Sequence, residues 1–150
     1  MSRPKHIKAE STTYFITTAT EGRLPIFTNP IIAKVVIDAL YFLRGEGRLK
    51  LYGFVVMPEH LHLLIRAMEP IPKLMHSLKS FTAKKTDKLS NSTGKIWQDG
   101  YYDYGIRTEQ DFLTRLIYLE ENPIRKGLVT TIEDYPFSSA NKSFETDTPF

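Results

Sequence analysis

The stretch that decides the fold is YGFVVMPEHLHLLIRA, residues 52–67. Two apolar runs of strand length, rich in Val, Leu, Ile and aromatic residues, are separated by the step Pro58-Glu59. This pattern predicts two antiparallel strands joined by a tight connection. The second run opens with His60 and His62. Because alternate side chains of a strand point to the same face, both imidazoles are expected on one face of a sheet.

The segments on either side of this strand pair indicate an α+β fold. The β-branched and aromatic run Thr12 to Thr18 predicts a strand, and the stretch from Asn29-Pro30 to Gly45 predicts a helix with one buried face. A second helix from Ile71 and an edge strand within residues 96–104 follow. The order β, α, β, β, α, β predicts a ferredoxin-like sandwich, in which two helices cover one face of an antiparallel sheet and leave the other open.

The second helix is predicted from apolar positions that recur every three or four residues. A loop-forming composition over residues 88–95 follows it, and His76 falls on its outer, solvent-facing side. The apolar positions are Ile71, Leu74, Met75, Leu78 and Phe81.

A last helix is predicted to begin after Thr108, a good N-cap, and to end at Asn122 because Pro123 follows. At about 100° per residue, Tyr118 falls on the polar side of this helix, and Asn122 lies one turn further along the same side. The opposite side is expected to pack on the domain and comprises Phe112, Leu113, Leu116, Ile117 and Leu119.

Length and composition restrict the class of protein. The 150 residues predict one domain, with a core over about residues 12–122 and a tail over 123–150 that has no usable periodicity. Hydrophobic residues make up 41% and charged residues 25%, an ordinary globular composition that argues against a disordered chain or a coiled coil. The net charge of +3 permits nucleic acid as a partner without requiring it.

Features that the sequence lacks exclude further classes of protein and of metal site. There is no cysteine, so disulfides and thiolate metal sites are excluded, and a reducing compartment fits. No stretch of 18 apolar residues occurs, and no apolar signal segment follows the N-terminal residues. We therefore expect a soluble, cytoplasmic protein with no membrane partner.

The chemistry depends on three residue types considered together. Singly, Tyr118 is explained as a half-buried surface tyrosine, and His60 and His62 as packed or hydrogen-bonded histidines. Together with Asn122, they supply two neutral nitrogens and an amide oxygen for a divalent cation, and a phenol. A phenol with a pKa of about 10 is a poor nucleophile unless its target is activated. A Mg²⁺ or Mn²⁺ ion held by His60, His62 and Asn122 would polarise a phosphodiester for attack by Tyr118.

Other uses of paired histidines do not fit the sequence. A zincin needs His-Glu-x-x-His on a helix, and this motif is absent. Nucleotidyl transferases with a histidine triad need a third alternating histidine, but that position is Leu64. A zinc deaminase needs Pro-Cys-x-x-Cys. Phosphodiester chemistry is therefore favoured.

Several motifs resemble those of a known family. His60-Leu61-His62, preceded by VVMPE at 55–59, resembles the His-hydrophobic-His motif of the HUH endonucleases. YLEENP at 118–123, followed by RKGL at 125–128, resembles the catalytic helix of their single-tyrosine transposases. The segments that resemble the REP-associated tyrosine transposase branch are RLPIF at 23–27, Trp97-Gln98, Tyr102-Asp103, Ile106-Arg107 and SSA at 138–140.

This resemblance implies a ferredoxin-like fold with an additional catalytic helix and metal-dependent cleavage and joining of single-stranded DNA. It implies that attack leaves a 5′ phosphate on tyrosine, and that hairpins of repetitive extragenic palindromes are the substrate class. Tyr118 is then the nucleophile, His60 and His62 are metal ligands, and Asn122 stands where relatives carry a third ligand. The protein would be a monomer or a homodimer.

Contacts to DNA are predicted from charge and aromatic character. Trp97, Tyr101 or Tyr102 would stack on unpaired bases, unless they are ordinary packing residues. The residues expected to hold phosphates, unless they form a solvated charged face, are Lys73, Lys84, Lys85, Arg107 and Arg115.

Two other functions stay open from the sequence. The first is a non-catalytic module that binds DNA hairpins with the same fold. The second is an RNA-binding ferredoxin-like domain, which is weaker because the central strands lack the aromatic pattern of an RNA-recognition motif.

Overall fold

A four-stranded antiparallel sheet forms the centre of the computed structural model, which describes residues 13–90 and 94–149. The strands are β1 (Thr13–Ala19), β2 (Leu49–Met57), β3 (His60–Ala67) and β4 (Tyr102–Gly105). Their spatial order is β2-β3-β1-β4, with each neighbouring pair antiparallel. β2 and β3 form a hairpin connected by Pro58 and Glu59, as residues 52–67 predict.

Three helices complete the fold: α1 (Pro30–Gly45), α2 (Ile71–Ser90) and α3 (Glu109–Arg125). Asn29 caps α1 by accepting a hydrogen bond from the backbone of Ile31, and Thr108 caps α3 in the same way for Asp111. The ferredoxin-like prediction is confirmed, with α3 as the additional helix. No helix within the described ranges combines the length and apolar character needed to cross a membrane.

The sheet is covered on both faces by different elements. On one face, β1, β2 and β3 pack against α1 and α2 through residues that include Ile16, Phe54, Leu61, Val36, Leu40 and Leu74. On the other face, α3 packs over the sheet through a second cluster that includes Phe15, Val55, Leu64, Phe112 and Leu119. Because β3 alternates between these layers, its leucines at 61 and 63 enter the first core and its histidines face α3.

A bulge in β2 lies beneath α3. The register shifts between Leu51 and Gly53, so the chain gains one residue relative to β3. A Cβ atom at Gly53 would lie 2.9 Å from Cδ1 of Leu116 on α3 and 3.5 Å from Oγ of Ser139. Glycine at this position therefore permits the close approach of the helix.

The segment after α3 pairs with the outer edge of β2, which the sequence did not predict. The backbone amide of Val56 donates to the carbonyl of Phe137 at 2.8 Å, and that of Asp147 donates to Leu51 at 2.8 Å. The Asp147 carboxylate also accepts two hydrogen bonds of 3.0 Å from Arg44 on α1. These contacts cover an edge that would otherwise expose unpaired backbone groups.

Two details of α2 differ from the predictions. α2 continues through residues predicted as loop as far as Ser90, while Thr12 and residues 91–93 of the predicted elements lie outside the described residues. Phe81 is exposed and contacts the ring of Phe42 instead of entering the core. The edge strand predicted within residues 96–104 is found as β4, which begins at Tyr102.

The prediction that the last helix ends at Asn122 is wrong, because α3 includes Pro123 and ends at Arg125. Proline removes one helical amide, the one that would reach the carbonyl of Leu119, and the turn continues. The amides of Lys126 and Leu128 then bond the carbonyls of Asn122 and Pro123 at 3.1 Å and 2.9 Å. This extra turn places Arg125 on the helix.

Candidate active site

The two histidines of β3 lie side by side on the sheet face that α3 covers. Each is 5% exposed, and their Nε2 atoms are 3.1 Å apart. Their proximity follows from the strand, since residues two apart on a strand share a face. The prediction that His60 and His62 form a pair on one face is confirmed.

Each imidazole is oriented through its other nitrogen. Nδ1 of His60 lies 2.7 Å from a carboxylate oxygen of Glu59, and Nδ1 of His62 lies 2.8 Å from the hydroxyl of Thr17. Thr17 stands directly opposite His62 in the ladder between β1 and β3. These contacts leave both Nε2 atoms directed at the space between the rings, the arrangement that metal-binding histidines show.

The hydrogen bonds determine where the protons lie. The Glu59 carboxylate only accepts, so His60 carries its proton on Nδ1 and its Nε2 is an acceptor. His62 therefore donates from Nε2 to His60, and its Nδ1 accepts from the Thr17 hydroxyl. Because a hydroxyl both donates and accepts, Thr17 also fits the other His62 tautomer, which presents a free Nε2 lone pair.

Both imidazoles are neutral at neutral pH. Burial, followed by the charges of His60, Arg125 and Arg23, lowers the pKa of His62 to about 3. Burial also lowers the pKa of His60, although the hydrogen bond with Glu59 acts in the opposite direction. Neutral nitrogens are the form that binds metal ions.

Acidification is expected to destabilise the protein without added metal. Below pH 6.5 the unfolded His62 takes up a proton, whereas the folded residue does so only near its pKa of about 3. The free energy of unfolding should therefore fall by about 2 kcal/mol between pH 6 and pH 4 on account of this residue. Urea titrations in chelator measure this free energy for the native protein and for His62→Gln. If it depends on pH equally in both proteins, His62 is not the cause of the fall.

Tyr118 on α3 lies beside this pair. Its ring meets the rings of His62 and Phe15 edge-on, at centroid distances of 5.7 Å and 6.0 Å. The side chain is 44% exposed, so the phenol is accessible to a substrate. The docking of α3 thus places a candidate nucleophile next to the imidazole pair.

The predicted packing face of α3 is wrong in part. Leu113 and Ile117 are 42% and 53% exposed, and Asn122, which was predicted on the open polar side, is only 4% exposed. The reason is that the sheet face under α3 is itself partly polar, so it accepts polar helix residues and leaves two apolar ones outside. Tyr118 consequently lies on the flank of the packed face, next to His62.

The buried amide of Asn122 supports a cation site. Its Oδ1 is buried and has no hydrogen-bond partner among the residues described. Together with the two Nε2 atoms, this oxygen fits the donor set that Mn²⁺ or Mg²⁺ accepts. No cluster of three or more His, Cys, Asp or Glu suited to a metal occurs in residues 13–90 and 94–149, so the amide would be needed.

Comparison with known proteins identifies the family. The sequence model of the family described as "Transposase IS200 like" matches residues 8–122. The chain belongs to this family. It is 24% identical over 106 residues to the REP-associated tyrosine transposase of Escherichia coli K12, covering 69% of this chain and 62% of that protein. It is 25% identical over 104 residues to a putative REP-associated tyrosine transposase of Haemophilus influenzae, covering 61% and 59%. The matches thus span less than two thirds of these curated relatives.

Solved structures of transposases share the fold. A REP-associated tyrosine transposase bound to a REP hairpin superposes with a TM-score of 0.73 at 21% identity, covering 100% of this chain and 92% of that one. A putative transposase from Deinococcus radiodurans gives a TM-score of 0.55 at 23% identity, covering 73% and 88%. The predicted resemblance to REP-associated tyrosine transposases is confirmed.

The charged residues predicted to contact DNA are divided between the two layers of this IS200-like fold. Lys73, Lys84 and Lys85 are exposed on α2, on the side of the sheet opposite the histidines. Arg107 is exposed just before α3. Arg115 on α3 lies over the ring of Tyr104 at 3.9 Å, on the histidine side. Of these five residues, Arg115 therefore lies on the histidine face of the sheet, and Arg107 lines a surface cavity at the start of α3.

The prediction that Trp97 stacks on bases is contradicted by its burial. Trp97 is 4% exposed, its ring packs against Phe27 at 5.3 Å, and its Nε1 donates to the Thr82 hydroxyl at 2.7 Å. The segment before β4 crosses the middle of α2, where it bonds Lys79 and Thr82, and buries its one indole there. Tyr102, 55% exposed on β4, keeps an accessible ring.

Replacing Trp97 with alanine should therefore destabilise the fold. Loss of the indole from the core is expected to lower the free energy of unfolding by about 3–5 kcal/mol, measured by urea denaturation. Tyr102→Ala is the matched control and should change stability by less than about 0.5 kcal/mol. A fully stable Trp97→Ala protein with weakened DNA binding would restore the base-stacking role.

Sequence reasoning missed the residues that orient the site. Glu59 directly precedes the histidines, but nothing in the sequence showed that its carboxylate turns back to His60. Thr17 is distant in sequence and meets His62 only through the strand register. Thr17 is a polar residue in β1 that stands opposite His62 once the two strands are paired. This cross-strand position is the signal that could have identified it.

Proposed function

We propose that the protein is a metal-dependent endonuclease and strand transferase for single-stranded DNA, acting through a covalent phosphotyrosine on Tyr118. The observation that carries the proposal is the contact between Tyr118 and His62, whose Nε2 faces that of His60. The proposed nucleophile and two proposed cation ligands are thereby neighbours on the sheet face that α3 covers. Membership of the transposase family supports the same chemistry.

The proposed reaction exchanges one phosphodiester for another. The Tyr118 oxygen attacks phosphorus, the bond from phosphorus to the 3′ oxygen breaks, and the 5′ phosphate remains on tyrosine. The phenol gives up one proton, and the departing 3′ oxygen takes up one to become a hydroxyl. Because the new ester keeps the energy of the cleaved bond, a second 3′ hydroxyl can reverse the step and join strands without ATP.

A divalent cation, Mg²⁺ or Mn²⁺, is proposed as the cofactor. His60, His62 and Asn122 would hold it. When bound, it would neutralise charge that develops on the non-bridging phosphate oxygens. Glu59 and Thr17 would keep the two imidazoles oriented for this role.

Hairpins formed by palindromic DNA are proposed as the substrate class. The REP-associated relative of known structure is bound to a REP hairpin, and the net charge of +3 suits a nucleic acid ligand. Arg107 and Arg115 are proposed as phosphate contacts near the site, and Lys73, Lys84 and Lys85 as more remote ones.

The test is a covalent-adduct assay with hairpin DNA that carries single-stranded flanks. Mn²⁺ should produce a protein-DNA adduct that survives denaturation, and chelator should prevent it. Tight, salt-sensitive binding without any adduct, unchanged by chelator, would overturn the enzymatic proposal and identify a non-catalytic hairpin-binding module. Preference for RNA over DNA of the same sequence would identify an RNA-binding domain instead.

A further inference from the structure

Arg125, in the last turn of α3, lies directly over the Tyr118 ring. The guanidinium carbon is 4.2 Å from the ring centroid, within the range of a cation-π contact. Its Nη2 also donates a hydrogen bond to the Tyr118 backbone carbonyl. On the other side, Nη1 lies 3.8 Å from the carboxylate of Glu121, one turn earlier. Arg125 therefore has three contacts, two of them to Tyr118.

Tyr118 is consequently enclosed on several sides although it is 44% exposed. The rings of Phe15 and His62 meet it edge-on, at interplanar angles of 72° and 67°. Arg125 covers a ring face. A half-exposed tyrosine without such neighbours would exchange between rotamers freely.

We propose that Arg125 is a positioning residue that fixes the Tyr118 ring for in-line attack on phosphorus. The proposal rests on the proposed function of Tyr118 as a nucleophile. The planar guanidinium suits this role, because it stacks on a ring and hydrogen-bonds in its own plane, whereas an ammonium group is a point charge that cannot stack. Misplacement of a nucleophile by about 1 Å can cost on the order of 100-fold in rate.

The extra turn of α3 beyond Asn122 is what makes this contact possible. Arg125 follows Tyr118 by seven residues, two helical turns, so both side chains project from one side of the helix. A helix that ended before Pro123 would not hold Arg125 at this position. The continuation of α3 through proline thus brings the guanidinium to the nucleophile.

Two substitutions of Arg125 separate the effect of ring stacking from the effect of positive charge. Arg125→Lys keeps the positive charge and loses the planar group, and Arg125→Met keeps a long side chain and loses both. We expect the single-turnover rate of adduct formation at saturating hairpin DNA and Mn²⁺ to fall about 10- to 100-fold in both variants. Hairpin affinity should change by less than about threefold in Arg125→Lys.

Lys34→Met is the matched control. Lys34 pairs with Asp38 one turn further along α1, as Arg125 pairs with Glu121, but it lies on the remote layer. This variant loses one positive charge and should keep the native single-turnover rate of adduct formation. A native rate in Arg125→Lys, or a loss confined to DNA affinity in both Arg125 variants, would overturn the positioning role and indicate a phosphate contact.

A readout without DNA keeps this inference separate from the proposed function. The NMR ring signals of Tyr118, assigned by their absence in Tyr118→Phe, should shift and show faster ring motion in Arg125→Lys and Arg125→Met but not in Lys34→Met. Unchanged ring signals would overturn the positioning role. Absence of any adduct from the native protein would overturn the proposed function alone.

Discussion

Tyr118→Phe should eliminate the covalent protein-DNA adduct. The substitution removes only the phenolic oxygen, the atom proposed to attack phosphorus, so the rate of adduct formation should fall by at least about 10³-fold, below detection on a denaturing gel. Phenylalanine retains a ring that can contact Phe15, His62 and Arg125. Hairpin affinity, measured by mobility shift, should therefore stay within about twofold of native.

Stability provides the control for this result. Tyr118 is 44% exposed, so its replacement should change the free energy of unfolding by less than about 0.5 kcal/mol. Tyr102→Phe, at the 55% exposed tyrosine on β4, removes a similar hydroxyl elsewhere and should leave adduct formation unchanged. An adduct that persists in Tyr118→Phe would show that another residue is the nucleophile.

His62→Ala should remove both cation binding and adduct formation. His62 supplies one of the two facing Nε2 atoms, so its loss leaves His60 with no partner imidazole at 3.1 Å. Replacing even an outer partner of a metal ligand typically costs 10- to 100-fold in affinity, so loss of a ligand itself should weaken Mn²⁺ binding by at least about 100-fold. Electron paramagnetic resonance of free Mn²⁺ during a titration measures this directly.

His76→Ala is the matched histidine control, since His76 is exposed on α2 as the sequence predicts. It should bind Mn²⁺ and form adduct as the native protein does. Unaltered Mn²⁺ affinity in His62→Ala would exclude the imidazole pair as a cation site. Glu59→Gln tests the orienting carboxylate in the same titration and should give the smaller, 10- to 100-fold loss.

The sequence allowed the sheet and the first two helices to be predicted because their signals are local. The hairpin at 52–67 follows from apolar runs of strand length, and the helix after Asn29 follows from helical period and capping; both elements are found. The pairing of residues 137–147 with β2 has no local signal, because its hydrogen bonds join residues about 81 to 96 positions apart.

The shared face of His60 and His62 was predictable, and its surroundings were less so. His60 and His62 share a face because strand geometry requires it, and α3 covers that face as the ferredoxin-like order allowed. The burial of Asn122 and the exposure of Ile117 could not be derived from the sequence. Helical spacing shows which side of a helix is apolar, but it does not show that the sheet face beneath the helix is partly polar. Trp97 shows the same limit, because an indole ring can pack in a protein core as readily as it can stack on a nucleotide base.

The residues that cover the β2 edge are synthesised long after β2 itself, which affects folding during translation. Ser139 bonds Phe54 across 85 residues of sequence, so a ribosome working at 5–20 residues per second reaches Ser139 roughly 4–17 s after Phe54. During this interval the hairpin carries an open edge with Val55 and Val56 in it, a template to which another nascent chain can add. The β2 edge therefore stays open to pairing with other chains until residues 137–147 emerge.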